Sequence, residues 1–383
     1  MGSRLLLSGT GRICKTVSKK IVLFIDNLGS GGAQRQVVNI AILFRRSGYD
    51  VRVLVYQNIP FYAPLLEKEN IDIDFIESNS SITRIIKVRH YLIKCGAEAI
   101  IAFLETPCFI ACLSKIGHNK WKLITTERSA KESTFVSRKN RFFNIFERFS
   151  DAKVGNSENA MNMWRKYYPQ YSDKYFVIYN QVLVPEKYVG KHKKYLGSGR
   201  LQILVAASYQ ELKNPLKVIE ALRIMSKEVR TKLQIDWYGK AEVTTGNTEI
   251  YDKVDGLIRK YDLSDCICLH GESDEIYKLM YESDVVGLFS TVEGLPNTIC
   301  EAMTIGRPVI MSKVSDYNVL VSNNGVLCDP ADVNSIKGAL EKMLSFSASD
   351  LDKMGQRSRE YASKLFSDDV ISKKWMEVVK RDS

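Results

Sequence analysis

Short apolar runs alternate with longer segments of helical periodicity along this chain, and the alternation occurs twice. In the first half, Lys20–Ile25 reads as a buried strand, followed by Gly29-Ser30-Gly31-Gly32 and a helix from about Ala33 to Ser47. Val51–Tyr56, Ile73–Ile76, Ile100–Phe103, Lys122–Thr126 and Ala152–Asn156 predict further strands, with helical segments between them. In the second half, Gln202–Ala206, Gln234–Tyr238, Ile267–His270, Val285–Phe289 and Pro308–Met311 predict strands, each followed by a helical pattern. Repeated strand–helix alternation predicts parallel sheets with helices on both faces. The expected architecture is therefore α/β, with a first doubly wound unit over 20–186 and a second over 201–366. The polar, basic run Lys187–Arg200, with three Gly, is the natural linker. Residues 367–383 contain a last helical pattern, Ser367–Lys380.

Composition narrows the class. A chain of 383 residues with 45% hydrophobic and 26% charged residues has room for two cores of ordinary globular kind. No apolar stretch approaches the roughly 20 residues of a spanning helix. Residues 1–19 read as a basic leader, in which Leu5-Leu6-Leu7 is too short for a secretory apolar segment. Eight Cys without a Cys-x-x-Cys pair suggest reduced thiols and a cytoplasmic setting.

Charge is unevenly placed. Residues 1–200 hold 32 Lys and Arg against 16 Asp and Glu, a balance of +16, while the rest hold 23 against 28, a balance of −5, and the two sum to +11. A basic half suits an anionic substrate, an anionic membrane or nucleic acid. No nucleic acid is expected, because basic residues interleaved with aromatics across a groove are not evident. Two basic amphipathic segments, 81–94 and 138–149, suit an anionic leaflet on the cytoplasmic face of a membrane. Their apolar faces could instead pack on the sheet.

The densest chemistry is the string Glu293-Gly294-Leu295-Pro296-Asn297-Thr298-Ile299-Cys300-Glu301, directly after a strand. Strand, Gly/Pro turn, then helix is how open α/β sheets build a ligand crevice. Pro296 or Asn297 opens the helix, so Glu293 and Glu301 face one helix mouth. Two carboxylates there accept hydrogen bonds from vicinal hydroxyls, while free N–H groups and the helix dipole favour a phosphate. Hydroxyls beside phosphate describe a nucleotide sugar. The glycine run Gly29–Gly32 with Arg35 opens another helix, where backbone can approach a phosphate or sugar closely; a tight turn without a ligand explains the same residues. It is not G-x-G-x-x-G, so a dinucleotide site is not expected. Asp72-Ile73-Asp74 has the form of a metal-diphosphate motif, but reads better as a polar–apolar alternation beside a short strand. No metal is expected.

The 293–301 string resembles the E-x7-E signature of family 4 glycosyltransferases, retaining enzymes of the two-Rossmann-domain fold called GT-B, and the resemblance spans roughly residues 20–375. It implies transfer of a sugar from a nucleotide-diphosphate donor, UDP-linked by preference, with retained configuration and no required metal. Glu293 would hold donor sugar hydroxyls, the backbone amides from Gly294 through Leu295 and Pro296 to Asn297 would orient sugar and phosphate, and Glu301 would accept from the ribose. Lys213 matches the family lysine on the donor diphosphate, with Gly31 and Gly32 beside it; Glu293 and Lys213 are the catalytic pair. The family often has an Arg five residues before that lysine, where this chain has Ser208, leaving Arg35, Arg128 or Lys240 to make up the charge. Gly239, Lys240 and His270 end strands whose loops hold the nucleotide base in relatives. Thr125-Thr126-Glu127-Arg128 stands where many relatives carry a His, so Glu127 and Arg128, with Arg35, are expected at the acceptor. Asn156 and Asn180 match family positions between the domains and read as structural. The last helix would cross back onto the first domain. The acceptor would be a glycan, lipid-linked, as in surface polysaccharide assembly. A GT-B hydrolase or phosphorylase, or a binding protein without catalysis, are the rival readings.

Overall fold

The computed structural model describes residues 19–129, 132–190, 195, 199–242 and 246–381. The leader read at 1–19 lies outside these residues except for Lys19, as does most of the central part of the linker. Seven strands, β1 (Lys20–Phe24), β2 (Asp50–Val55), β3 (Asp72–Phe75), β4 (Ala99–Ala102), β5 (Lys122–Glu127), β6 (Ala152–Gly155) and β7 (Tyr175–Val177), form one sheet in the order β3-β2-β1-β4-β5-β6-β7. Six more, β8 (Leu201–Ala206), β9 (Leu233–Tyr238), β10 (Ile267–His270), β11 (Val285–Leu288), β12 (Val309–Ser312) and β13 (Gly325–Cys328), form a second in the order β10-β9-β8-β11-β12-β13. Every pairing is parallel. Helices cover both faces, which is why the central strands are apolar throughout: Ile21 to Phe24 in β1, and all of β11, are buried.

Strand order reverses between β1 and β4 in the first sheet and between β8 and β11 in the second. A crevice opens at such switch points, outside the carboxyl ends of the strands. The glycine run leaves β1, Lys213 follows β8, and the Glu293 string follows β11, so all three emerge at these ends. Two strands escaped the sequence reading, β7 and β13. Both are edges, three and four residues long, too short for an apolar run to stand out.

Away from the cleft, two contacts help bind the halves. The terminal helix Asp368–Lys380 packs on the first sheet's layer, with Trp375 edge-on to Phe44 at 6.2 Å and Asp368 accepting from Gln181 Nε2 at 2.7 Å. From the second half, buried Asp316 caps the helix Glu158–Tyr167 of the first, accepting from the backbone N–H of Glu158 at 2.7 Å and of Asn159 at 2.8 Å. The same carboxylate accepts from the Tyr179 hydroxyl at 2.9 Å, and burial, then Asp316 itself, pushes that phenol's pKa up. A negative charge on free helix N–H groups is favourable. Replacing Asp316 by Ala strands those donors and should lower unfolding free energy by about 1–3 kcal/mol. Urea titration checks it, and an unchanged midpoint would mean the cap contributes nothing.

Candidate active site in the cleft

After β11 the chain turns through Glu293–Pro296 into the helix Asn297–Ile305, with Pro296 at its cap and no side chain bonded to that end. The first N–H groups of the helix are thus left for a ligand. Glu293 is held by Lys213, whose Nζ lies 2.6 Å from Oε1. Lys213 stands on the short turn Glu211–Lys213 after β8. Asn214, left-handed at φ 65°, pins that turn by donating to the carbonyls of Phe289 at 3.1 Å and Pro330 at 2.9 Å. Thr291 N–H donates to the Leu212 carbonyl at 2.8 Å, zipping the two loops together. The expected catalytic pair is therefore side by side.

Glu301, one turn along the helix, is met from across the cleft. Arg35 Nη2 lies 3.0 Å from its Oε1, and Tyr277 donates to the same oxygen at 3.4 Å while bonding Arg35. Burial pushes the Glu301 carboxyl above its ordinary range and Arg35 pulls it back. Arg35, expected at the acceptor, thus contacts the donor-side carboxylate; sequence could not place it, because the pairing joins two sheets. The glycine loop lies beside it: a Cβ on Gly32 would sit 4.0 Å from Asn297 Nδ2, while exposed Gly31 caps the helix Gly32–Arg46.

Gly294 shows why no larger residue fits the loop. A Cβ there would lie 2.5 Å from the Arg128 carbonyl oxygen, so the donor loop rests directly on first-half backbone. Leu295 is buried in the core, which leaves only its backbone for a ligand. Ser208, Gly239, Lys240 and His270 gather at the ends of β8, β9 and β10. A Cβ on Gly239 would sit 2.0 Å from the Ala207 carbonyl oxygen. His270 stacks on Tyr238 at 4.3 Å with Nε2 2.9 Å from Asp236 Oδ1, and Lys240 is exposed.

Glu127, expected at the acceptor, is heavily hydrogen-bonded. Its Oε1 accepts from Arg128 N–H and Ser129 N–H, each at 3.0 Å, and from the Ser129 hydroxyl at 3.1 Å, while Oε2 accepts from Trp164 Nε1 at 3.0 Å. A carboxylate so occupied builds the loop rather than reaching for an acceptor. Arg128 behaves differently. Its Nη1 donates to Asn180 Oδ1 at 3.0 Å and its guanidinium lies 4.9 Å over Phe103, but Nε and Nη2 are buried without a hydrogen-bond partner among the described residues. Desolvation lowers its pKa from 12.5 to about 10. Asn180, read as structural, in turn donates to Asn297 Oδ1 at 2.8 Å and so links Arg128 to the donor helix.

Arg128 faces a cavity of about 510 Å³ lined also by Asp26, Glu105, Asn140, Phe143 and Gly294. At its floor Lys153 and Glu147 form a buried pair at 2.8 Å. Asn140 and Phe143 belong to the segment read as amphipathic, now the helix Arg138–Ile145. Its buried residues are Asn140 and Asn144, Phe143 stacks on Phe109 at the cavity wall, and Phe142 and Ile145 point outward, 53% and 52% exposed. Two asparagines four apart were the signal that this face lines a polar cavity. The helix Ser81–Lys94 buries Val88 and Leu92 and exposes Ile82 and Ile86. Arg52 clamps Asp72 at 2.9 Å and Asp74 at 3.1 Å within the first sheet. No group of three or more His, Cys, Asp or Glu among the described residues is placed to hold a metal.

Two parallel-sheet units facing one another across such a cleft are the GT-B architecture of glycosyltransferases. HepE of Anabaena, solved with UDP and glucose, shares it with a TM-score of 0.78 at 18% identity over 94% of this chain and 99% of that one. Residues 189–362 match the family described as glycosyl transferases group 1. Among curated relatives, the N-acetylgalactosamine-N,N'-diacetylbacillosaminyl-diphospho-undecaprenol 4-alpha-N-acetylgalactosaminyltransferase of Campylobacter jejuni is 22% identical over 85% of this chain and 90% of its own. An uncharacterised glycosyltransferase of Haemophilus influenzae is 24% identical over 85% and 91%.

The half-satisfied Arg128 gives a stability test. A cation with a lowered folded pKa opposes folding below about pH 10, the cost fading only toward its ordinary 12.5. Arg128→Met should therefore leave the melting temperature at pH 7.5 unchanged or higher, as is common for residues kept for function. A fall of several degrees would make Arg128 a structural residue.

Proposed function

We propose that the protein moves a hexosyl or N-acetylhexosaminyl group from a UDP-sugar to a lipid-linked glycan, with retained configuration, in surface polysaccharide biosynthesis. The observation that carries this reading is the placement of Glu293, Lys213 and Glu301 around one open helix mouth, beside a polar cavity on the basic half. Glu293 takes the hydroxyls of the donor sugar and Glu301 those of the ribose. Lys213, Gly31, Gly32 and the N–H groups of Gly294, Leu295 and Asn297 receive the diphosphate, with Ser208 at its edge. Gly239, Lys240 and His270 flank the base. As the glycosidic bond lengthens, charge grows on the leaving phosphate, and fixed donors there lower the barrier without a metal. A phosphate oxygen takes the acceptor proton. The acceptor end enters the cavity, where Arg128 has two N–H groups free for it. The undecaprenol-linked substrate in the Campylobacter relative's name and the UDP bound to HepE support these choices.

Lipid linkage requires the protein to work at a membrane surface. None of its described helices is long and apolar enough to cross one. Docking on the cytoplasmic face falls to 81–94 and 138–149, where Ile82, Ile86, Phe142 and Ile145 are exposed among basic residues.

Thermal unfolding with UDP-, GDP- and ADP-sugars tests the donor: the UDP-sugar should raise the melting temperature, since a ligand of the native state must stabilise it. In turnover, Glu293→Gln and Lys213→Ala should each lower kcat by about 10²–10³. Equal turnover with water or phosphate as sole acceptor would sink the transferase reading. Co-sedimentation with anionic vesicles should be strong at low salt, weak at high salt, and weakened by Ile82→Glu with Ile86→Glu; binding indifferent to both would remove the membrane from the proposal.

A further inference from the structure

Each carboxylate of the 293–301 string meets a cation in the cleft: Glu293 meets Lys213 at 2.6 Å, and Glu301 meets Arg35 at 3.0 Å. The first pair lies within the second half; the second crosses the cleft. A nucleotide sugar brings the opposite chemistry to the same place, hydroxyls at its two ends and a diphosphate between them. Hydroxyls that bond the two carboxylates displace both cations just where negative charge arrives. Left behind, Arg35 would be a partly buried cation deprived of its partner, which is costly. Its position allows another course. Arg35 stands on the first turn of the helix Gly32–Arg46, whose Gly32 faces Asn297 at the opposite helix mouth, and its side chain is 34% exposed on a flexible stem.

We propose that Arg35 is a second cation for the donor diphosphate, stored on Glu301 across the cleft and transferred to phosphate when the ribose hydroxyls take that carboxylate. This rests on the nucleotide-sugar reading above and assigns Arg35 to the donor rather than the acceptor. Tyr277, which bonds both members of the stored pair, stays with Glu301 after the exchange. Burial pushes the Tyr277 phenol up to about 12, so it remains a donor at neutral pH.

The exchange gives a nucleoside and its diphosphate opposite responses. Calorimetric titration of the full chain with uridine and with UDP, for wild type, Arg35→Gln and Arg35→Lys, reads it directly. Arg35→Gln should cut the UDP-to-uridine preference at least about tenfold, the scale of one lost charge-assisted hydrogen bond. Uridine itself should bind equally or more tightly, because Glu301 no longer has to release a cation. Arg35→Lys should restore part of the preference, which damage to the fold would not allow. An unchanged UDP-to-uridine ratio, or equal weakening of both ligands, would overturn the proposal. A wild-type protein that binds none of UDP, GDP or ADP would overturn the donor reading beneath it, a result distinct from either.

Discussion

A carboxylate withdrawn from water needs a partner, and that requirement organises the cleft. Glu293 and Glu301 occupy one helix mouth because the helix end offers N–H groups and positive potential. Each is then matched by a cation from another element: Lys213 from the loop after β8, Arg35 from the helix after β1. Asp316 applies the same rule away from the mouth, its charge resting on the free end of a helix in the other half. Glu147 and Lys153 repeat it at the cavity floor. Arg128 is the exception, a buried cation with one polar bond and two idle N–H groups. Where the rule is broken, the cavity begins.

The two switch points give these charges their geometry. Parallel sheets with reversed strand order put the loops after β1, β8 and β11 at the same crevice. Backbone contact then fixes the spacing of the two halves: Gly294 lies on the Arg128 carbonyl, and Asn180 spans from Arg128 to Asn297. Each carboxylate is thus brought to its cation, at 2.6 Å and 3.0 Å, by elements that are remote in the chain.

What could be read from the sequence follows from this division. Strand–helix alternation is local, so the two-sheet architecture and the order of loops were visible, save the short edges β7 and β13. The Glu293–Glu301 string stood out because it sits close behind a strand, whereas Lys213 was picked out only through the family resemblance. The pairing of Arg35 with Tyr277 and Glu301 was not visible, because they lie on two separate helices of the other half, Tyr277 being 242 residues away. Asn180 looked structural because its two partners, Arg128 and Asn297, converge only in the folded chain. The hydrogen bonds of Glu127 to Ser129 and to Trp164, on the helix Glu158–Tyr167, have no pattern in sequence.

The wall of the cavity has a consequence of its own. Asn140 and Asn144 lie on a helix whose other face carries Phe142 and Ile145, and the segment leads into Glu147, tied to Lys153 of β6. One short stretch of chain therefore has an inner face that shapes what the cavity admits and an outer face that meets the surroundings. Neither face contains a donor-side carboxylate or cation. Substitutions on the inner face can reshape the cavity without touching Glu301, Lys213 or Arg35.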